Sequence, residues 1–425
     1  MPARIGPVIL IALVLGTAAA CDGGSPEPAA APPPTPSHQH TTPAAPTAAP
    51  TAAAAQRVAF EQAFGHHALL AARLMRSGRP GTAQRQAAEA AAQANAAELT
   101  RLMGAAFGAA NGDRFESLWR EHLAHLTAYA DAAGGEDETA RRRARDAVLA
   151  GAAPYGSLMA EATGGKVTAA EAERAMRHHA EQLIGQADAS ADGEHGRAYQ
   201  LEREAYEHMF ATGTEMAKAA LPARAAARLA TPPEQLRSAF AMLLGEHMEL
   251  IVDAQRAAFA GAPQFEAAAA QVNVNTAALG KAMGAIVGPA KGAEFQHDWS
   301  EHVEGLIAYA AAVAAGDEAA KGKAREEMGE YTLDLAKYLH GIVGDRLELG
   351  LLLGALTQHD RHLVDHVDAF ARRDYAGADR TESATYQHMR VVADTLADAI
   401  QRRVQAGLPV GGSQTGGGGT ATWRR

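Results

Sequence analysis

The chain has almost no cysteine: Cys21 is the single one among 425 residues. It has no partner for an intrachain disulfide, and no thiolate metal site can form in the body of the protein. Any bound metal must therefore be held by nitrogen, oxygen or thioether ligands. Common catalytic motifs are missing as well, since there is no G-x-S-x-G elbow, no P-loop and no H-E-x-x-H. The sequence thus gives little support to an enzyme.

Aromatic residues and sustained strand patterns are also scarce. Aromatics make up 5% of the chain, and alanine supplies much of the apolar fraction. No segment alternates with period two in β-branched residues, whereas apolar residues recur at helical spacing throughout residues 57–404. Thr168 with Glu171, and Thr231 with Glu234, have the spacing of capping boxes at helix starts. We therefore predict an all-α fold.

The charge balance is mildly acidic. Lysine and arginine total 39 against 49 aspartate and glutamate residues, which gives a formal charge of -10. This excess argues against nucleic acid or an anionic membrane surface as a partner. Nothing in the sequence identifies a protein partner.

Residues 1–21 have the pattern of a targeting segment. Arg4 precedes an apolar run from Val8 to Leu15, and Thr17-Ala-Ala-Ala-Cys21 follows. The small residues before Cys21 resemble the lipobox of bacterial lipoproteins, although Ala18 stands where that family usually has leucine. The resemblance implies that Cys21 is lipidated after cleavage and that the protein is anchored outside the bacterial cell membrane. An ordinary signal peptide, cut near the same place, is the alternative.

Two further segments have the composition of disordered chain. Residues 22–56 are rich in proline, alanine and threonine, and we expect them to form a tether between the anchor and the folded part. Residues 405–425 are rich in glycine and are expected to form a disordered tail.

The folded part repeats itself at an offset of 180 residues, without insertion. Gly65 recurs as Gly245, Trp119 as Trp299, and many other positions agree in the same way. A repeat of this length indicates a duplicated domain rather than a short solenoid unit. We predict two tandem helical bundles of about six helices each, the first repeat at 57–230 and the second repeat at 231–404.

The histidines follow the repeat selectively. Of the 18 histidines, eight lie in each repeat, and four of each eight are matched at the 180-residue offset. The matched residues are His67, His122, His179 and His208 in the first repeat and His247, His302, His359 and His388 in the second. Each occupies the middle of the apolar stripe of a different helix, so all should point inward. Unpaired buried imidazoles would cost about 1–3 kcal/mol each.

A bound ion would satisfy four inward imidazoles, and bundle cores commonly hold metals between facing helices. We therefore predict one four-histidine site per repeat for a divalent metal ion, copper or zinc. Matched accessory candidates are Met209, Met389, Glu121, Glu301, Asn95 and Asn275. Asn95 and Asn275 are interpreted first as interhelical hydrogen-bond donors and second as site residues.

Three short motifs resemble a known family. Gly-x-His at 65–67 and 245–247, Phe-x-x-x-Trp-x-x-His at 115–122 and 295–302, and Tyr-x-His-Met at 206–209 and 386–389 are similar to secreted bacterial helical proteins that are often called copper amine oxidase-like. True copper amine oxidases are β-rich and form a quinone from tyrosine in an Asn-Tyr context, and this chain contains no Asn-Tyr pair. The resemblance implies a surface protein linked to metal.

Three classes of function follow from these observations. The first is a lipid-anchored, extracytoplasmic metal-binding protein. The second is a metal-free helical scaffold or partner-binding module whose core histidines form a structural network. The third is a metal-dependent oxidase or hydrolase.

Overall fold

The computed structural model of the chain describes residues 51–405, which lie within one compact unit, Ala48–Arg425. Every regular element in that range is helical, and no strand occurs in it, so the all-α prediction is confirmed. Cys21, most of the expected tether and the expected tail lie outside the described residues.

The helices of the two repeats follow the same order. The first repeat contains α1 (Ala52–Arg76), α2 (Ala83–Phe107), α3 (Ala109–Ala133), α4 (Glu138–Ala150), α5 (Ala152–Ala162), α6 (Ala169–Ala191) and α7 (His195–Ala220). A short helix, α8 (Ala223–Arg228), leads to the second repeat. That repeat contains α9 (Pro232–Ala260), α10 (Phe265–Val287), α11 (Pro289–Ala315), α12 (Glu318–Val343), a 3₁₀ turn (Gly344–Arg346), α13 (Leu349–Ala371) and α14 (Tyr375–Gln405).

Two helix starts differ from the expectation. Helix α1 begins at Ala52, because the Thr51 hydroxyl accepts a hydrogen bond from the amide of Ala54, so residues 52–56 belong to the helix rather than to the tether. The capping box predicted at Thr231 is wrong: its hydroxyl donates to the carbonyl of Arg228 instead and makes no cap bond to α9. The capping box at Thr168 is present.

The fourth helix of the first repeat is split. The sequence predicts about six helices per repeat, but α4 ends at Ala150 and α5 begins at Ala152, so the first repeat has seven helices before α8. Pro154 has no amide hydrogen to donate to the carbonyl of Ala150, four residues earlier, and this missing bond accounts for the break. The second repeat has Asp334 in place of Pro154, and α12 runs through without interruption.

A glycine turn joins the second and third helices of each repeat. Gly108 connects α2 to α3 with a φ of 96°, and Gly288 connects α10 to α11 with a φ of 95°, values that favour glycine. A Cβ on Gly112 would lie 2.8 Å from the Cα of Gly104, so the two helices touch through their backbones. This close approach fixes the position of α3, which carries His122.

The buried apolar side chains form two hydrophobic cores, one within the first repeat and one that combines the second repeat with side chains of the first, among them Tyr206 and Phe210. The first core includes Phe64, Phe115 and Trp119, and the second includes Phe295 and Trp299. In both repeats the first helix packs along the last one, α1 on α7 and α9 on α14. The division into two domains remains a prediction, because the described residues form a single compact unit.

Two matched tyrosines join the repeats. The hydroxyl of Tyr206 donates to the carbonyl of Met242 at 2.9 Å, and the hydroxyl of Tyr386 donates to that of Gln62 at 3.3 Å. A Cβ on Gly245 of the second repeat would lie 2.8 Å from the hydroxyl of Tyr206 of the first, so this glycine leaves the space that the tyrosine occupies. The glycine and tyrosine of the shared motifs therefore serve the contact between the repeats.

Candidate metal centre

Three of the four matched histidines of the first repeat meet in its core. His67 on α1, His122 on α3 and His179 on α6 each offer a ligand atom, and these atoms lie within 4.8 Å of one another. The Nε2 atoms of His67 and His179 are 3.2 Å apart. The three residues are 1%, 4% and 0% exposed. We call this group the first centre.

The same three positions meet in the second repeat. His247 on α9, His302 on α11 and His359 on α13 offer ligand atoms that also lie within 4.8 Å of one another, and all three side chains are buried. The indole of Trp299 donates to Nδ1 of His247 at 3.3 Å, which places the proton of the neutral ring on Nε2. That Nε2 has no hydrogen-bond partner, and His247 can bind a metal ion only when the bond from Trp299 is released. We call this group the second centre.

The fourth matched histidine of each repeat is not part of these groups. Nε2 of His208 donates to the carbonyl of Ala175 at 2.9 Å, and Nε2 of His388 donates to that of Ala355 at 2.8 Å. These bonds tie α7 to α6 and α14 to α13. The structure therefore brings together three of the four predicted ligands of each repeat and gives the fourth a contact between helices.

The accessory candidates have other contacts in the fold or lie at its surface. Met209 and Met389 are buried in the hydrophobic cores. Glu121 and Glu301 lie at the surface, with side chains 62% and 39% exposed, facing His125 and His297. Asn95 and Asn275 each donate to a carbonyl of the first helix of their repeat, at 3.0 Å. These bonds match the first of the two interpretations of the asparagines.

Burial favours the neutral form of five imidazoles of the two centres. It lowers the pKa of His67, His179, His247 and His359 well below 6.5, and neighbouring histidines lower it further. Burial, with His125 nearby, lowers the pKa of His122 to about 3. A neutral imidazole is the form that binds a metal. These five rings are therefore in the form that a metal ion binds at neutral pH.

Several nitrogens of the centres have no protein partner. Nδ1 of His67, Nε2 of His122 and both ring nitrogens of His359 are buried without a hydrogen bond. Such orphaned groups are rare in folded proteins and call for an explanation. Three neutral nitrogen donors around one point form a ligand set that zinc and copper accept, with a further coordination position left open.

A third buried group lies between the repeats and has a different character. His66, Glu249 and Glu382 offer ligand atoms within 4.8 Å of one another. The guanidinium of Arg73 bonds both carboxylates, and Arg256 bonds Glu382 at 3.0 Å. Because two arginines already neutralise these acids and would repel a cation, we interpret the group as an ionic cluster that joins the repeats.

The sequence analysis missed this cluster, although the repeat contains a signal for it. Arg76 pairs with Glu202 at 2.6 Å, and the residues 180 positions later, Arg256 and Glu382, form the equivalent pair. Matched buried arginine and glutamate could have been read as an ion pair kept in both repeats.

Among residues 51–405, none of the helices combines the length and the apolar character that a bilayer crossing requires. No family model, curated protein or solved structure matches this chain.

Proposed function

We propose that the protein is an extracytoplasmic metal-binding protein, anchored through a lipid on Cys21, with one copper or zinc ion in each repeat. The single observation that carries the proposal is the convergence of three buried histidines at the same positions of both repeats. Each centre has three ligands rather than the four predicted from sequence.

The distances within the centres support metal binding. Zinc–nitrogen bonds of about 2.0–2.1 Å place the ligand nitrogens of one ion roughly 3.3–3.6 Å apart in trigonal or tetrahedral geometry. His67 and His179 are already at 3.2 Å. The remaining ligand atoms lie within 4.8 Å, so a small adjustment of the rings would bring them around one ion.

The anchor and the location rest on the sequence. The small residues from Thr17 to Cys21 resemble a lipobox, and the proline-rich segment after them would hold the bundles away from the membrane. Cys21→Ala should release the protein into the medium. Retention of this variant in the membrane fraction would contradict lipidation.

Calorimetry on the metal-stripped full-length protein tests the metal proposal. We expect about two equivalents of Cu²⁺ or Zn²⁺ to bind. His122→Ala should remove one equivalent, and the added change His302→Ala should remove the other. His125→Ala is the matched control, because this residue lies on the same helix but outside the centre. Affinity weaker than about 10 μM, or full binding by the double variant, would contradict the proposal.

A metal-free histidine network is the second candidate. Its support is the bonds that His208, His388 and His247 make to protein groups. In that case the core histidines would serve the specificity of the fold, and the surface would bind a partner protein. Absence of any metal-induced rise in melting temperature would favour this candidate.

A further inference from the structure

The two centres differ in one buried acid. In the second centre Asp360 places Oδ1 3.5 Å from Nδ1 of His302, and its carboxylate accepts a hydrogen bond from the hydroxyl of Thr332. The residue 180 positions earlier than Asp360 is Ala180, and Ala152 stands in the place of Thr332. The first centre therefore lacks both the acid and the hydroxyl that holds it.

The surroundings of the first centre are neutral and largely aromatic. The ring of Trp119 lies 4.5 Å from that of His67 and 4.8 Å from that of Phe115, measured between ring centroids. No ion pair joins His67, His122 or His179 to a carboxylate in the part of the chain that the structure describes. An ion bound here would keep its full charge in a dry core.

The charge of the ion decides the cost of placing it in such a core. The Born cost of burial rises with the square of the charge, so a divalent ion bound by neutral ligands costs about four times as much as a monovalent one. A carboxylate next to a ligand imidazole offsets the positive charge and makes the imidazole a stronger donor. Among the described residues of the two centres, Asp360 of the second is the one carboxyl group placed behind a histidine of a centre.

From this difference we propose that the first centre holds monovalent Cu⁺, whereas the second centre holds a divalent ion, Zn²⁺ or Cu²⁺. Asp360, acting through His302, sets the preference of the second centre for a divalent ion. It is a positioning and charge-compensating residue, and it is not one of the three ligands. The inference rests on the proposed metal binding of both centres.

The test uses the full-length chain stripped of metal. His302→Ala isolates the first centre and His122→Ala isolates the second. Zn²⁺ affinity is measured by calorimetry, and Cu⁺ affinity by anaerobic competition with a coloured chelator. The second centre should bind Zn²⁺ at least tenfold more tightly than the first, in line with the roughly 10–100-fold effect of a carboxylate behind a histidine ligand.

The decisive variant is Asp360→Asn, which keeps the shape of the side chain and removes its charge. Placed in the His122→Ala background, it should weaken Zn²⁺ binding by about 10–100-fold and change Cu⁺ binding by less than about threefold. Ala180→Asp in the His302→Ala background adds the missing acid to the first centre and should strengthen Zn²⁺ binding there.

Equal Zn²⁺ affinity of the two isolated centres, or an equal loss of Cu⁺ and Zn²⁺ affinity in Asp360→Asn, would overturn this inference and leave the proposed metal binding in place. Failure of the unaltered chain to bind either ion would overturn both.

Discussion

Arg73 holds the two repeats together at the buried ionic cluster, and its replacement by methionine should be costly. The residue lies on α1, and its side chain, 8% exposed, contacts Glu249 of α9 and Glu382 of α14. The two glutamate side chains are 3% and 0% exposed. Arg73→Met keeps most of the side-chain volume and removes the charge between them.

The electrostatics of the cluster set the expected magnitude. Burial alone would raise the pKa of Glu249, but Arg73 and His66 outweigh burial and lower it to about 2. Without Arg73, burial is opposed mainly by His66, whereas Glu382 keeps its bond to Arg256. Removing one partner of a buried ion pair costs about 3–5 kcal/mol. We expect a loss of that size in the free energy of unfolding at pH 7.

Urea denaturation of the full-length chain measures this loss. Adding Glu249→Gln to Arg73→Met should recover part of it, because the orphaned charge is removed as well. Arg120→Met is the control, since Arg120 pairs with Glu116 at the surface, and it should cost at most about 0.5 kcal/mol. A loss below about 1 kcal/mol for Arg73→Met, or no recovery in the double variant, would refute this reasoning.

Three further outcomes are expected. The metal-free chain should lose stability as the pH falls below 6.5, because unfolded imidazoles bind protons there whereas buried rings such as His122, with a pKa of about 3, stay neutral. Each histidine with a pKa lowered in this way adds a slope of about 1.4 kcal/mol per pH unit. Urea midpoints that do not depend on pH would contradict this. His208→Ala should cost about 1 kcal/mol and leave metal stoichiometry unchanged; loss of an equivalent would show that it is a ligand. Gly213→Ala should cost about 1–3 kcal/mol by overpacking, because its Cβ would lie 2.6 Å from the carbonyl oxygen of Phe60; unchanged thermal unfolding would argue against that close approach.

The fold class and most helices could be predicted from the sequence, because helical periodicity and glycine or proline breaks are local signals. The break at Gly151 required more than periodicity, since the apolar stripe continues across it and Pro154 decides the outcome. The predicted cap at Thr231 is absent because its hydroxyl donates to the backbone carbonyl of Arg228, three residues earlier.

The inward direction of the matched histidines could also be predicted, but not their grouping. Periodicity gives the face of a helix and not which neighbouring atom a ring reaches. His208 lies on the inward face of α7, yet its Nε2 reaches the carbonyl of Ala175, one turn before His179. The ion pairs of Arg73 could not be predicted from the repeat for another reason. The residue at the repeat offset from Arg73 is Asp253, an acid instead of a matching base, and the two pair with each other across the repeats.

X-ray absorption spectroscopy of the full-length chain, loaded with Zn²⁺ and freed of excess metal, tests the three-histidine centres most directly. We expect each retained ion to show three imidazole nitrogens at about 2.0 Å, with one light-atom ligand in the open position. The His122→Ala variant, which keeps the second centre, should show the same pattern. Retained zinc without imidazole scattering, or no retained metal at all, would contradict metal binding by these histidines.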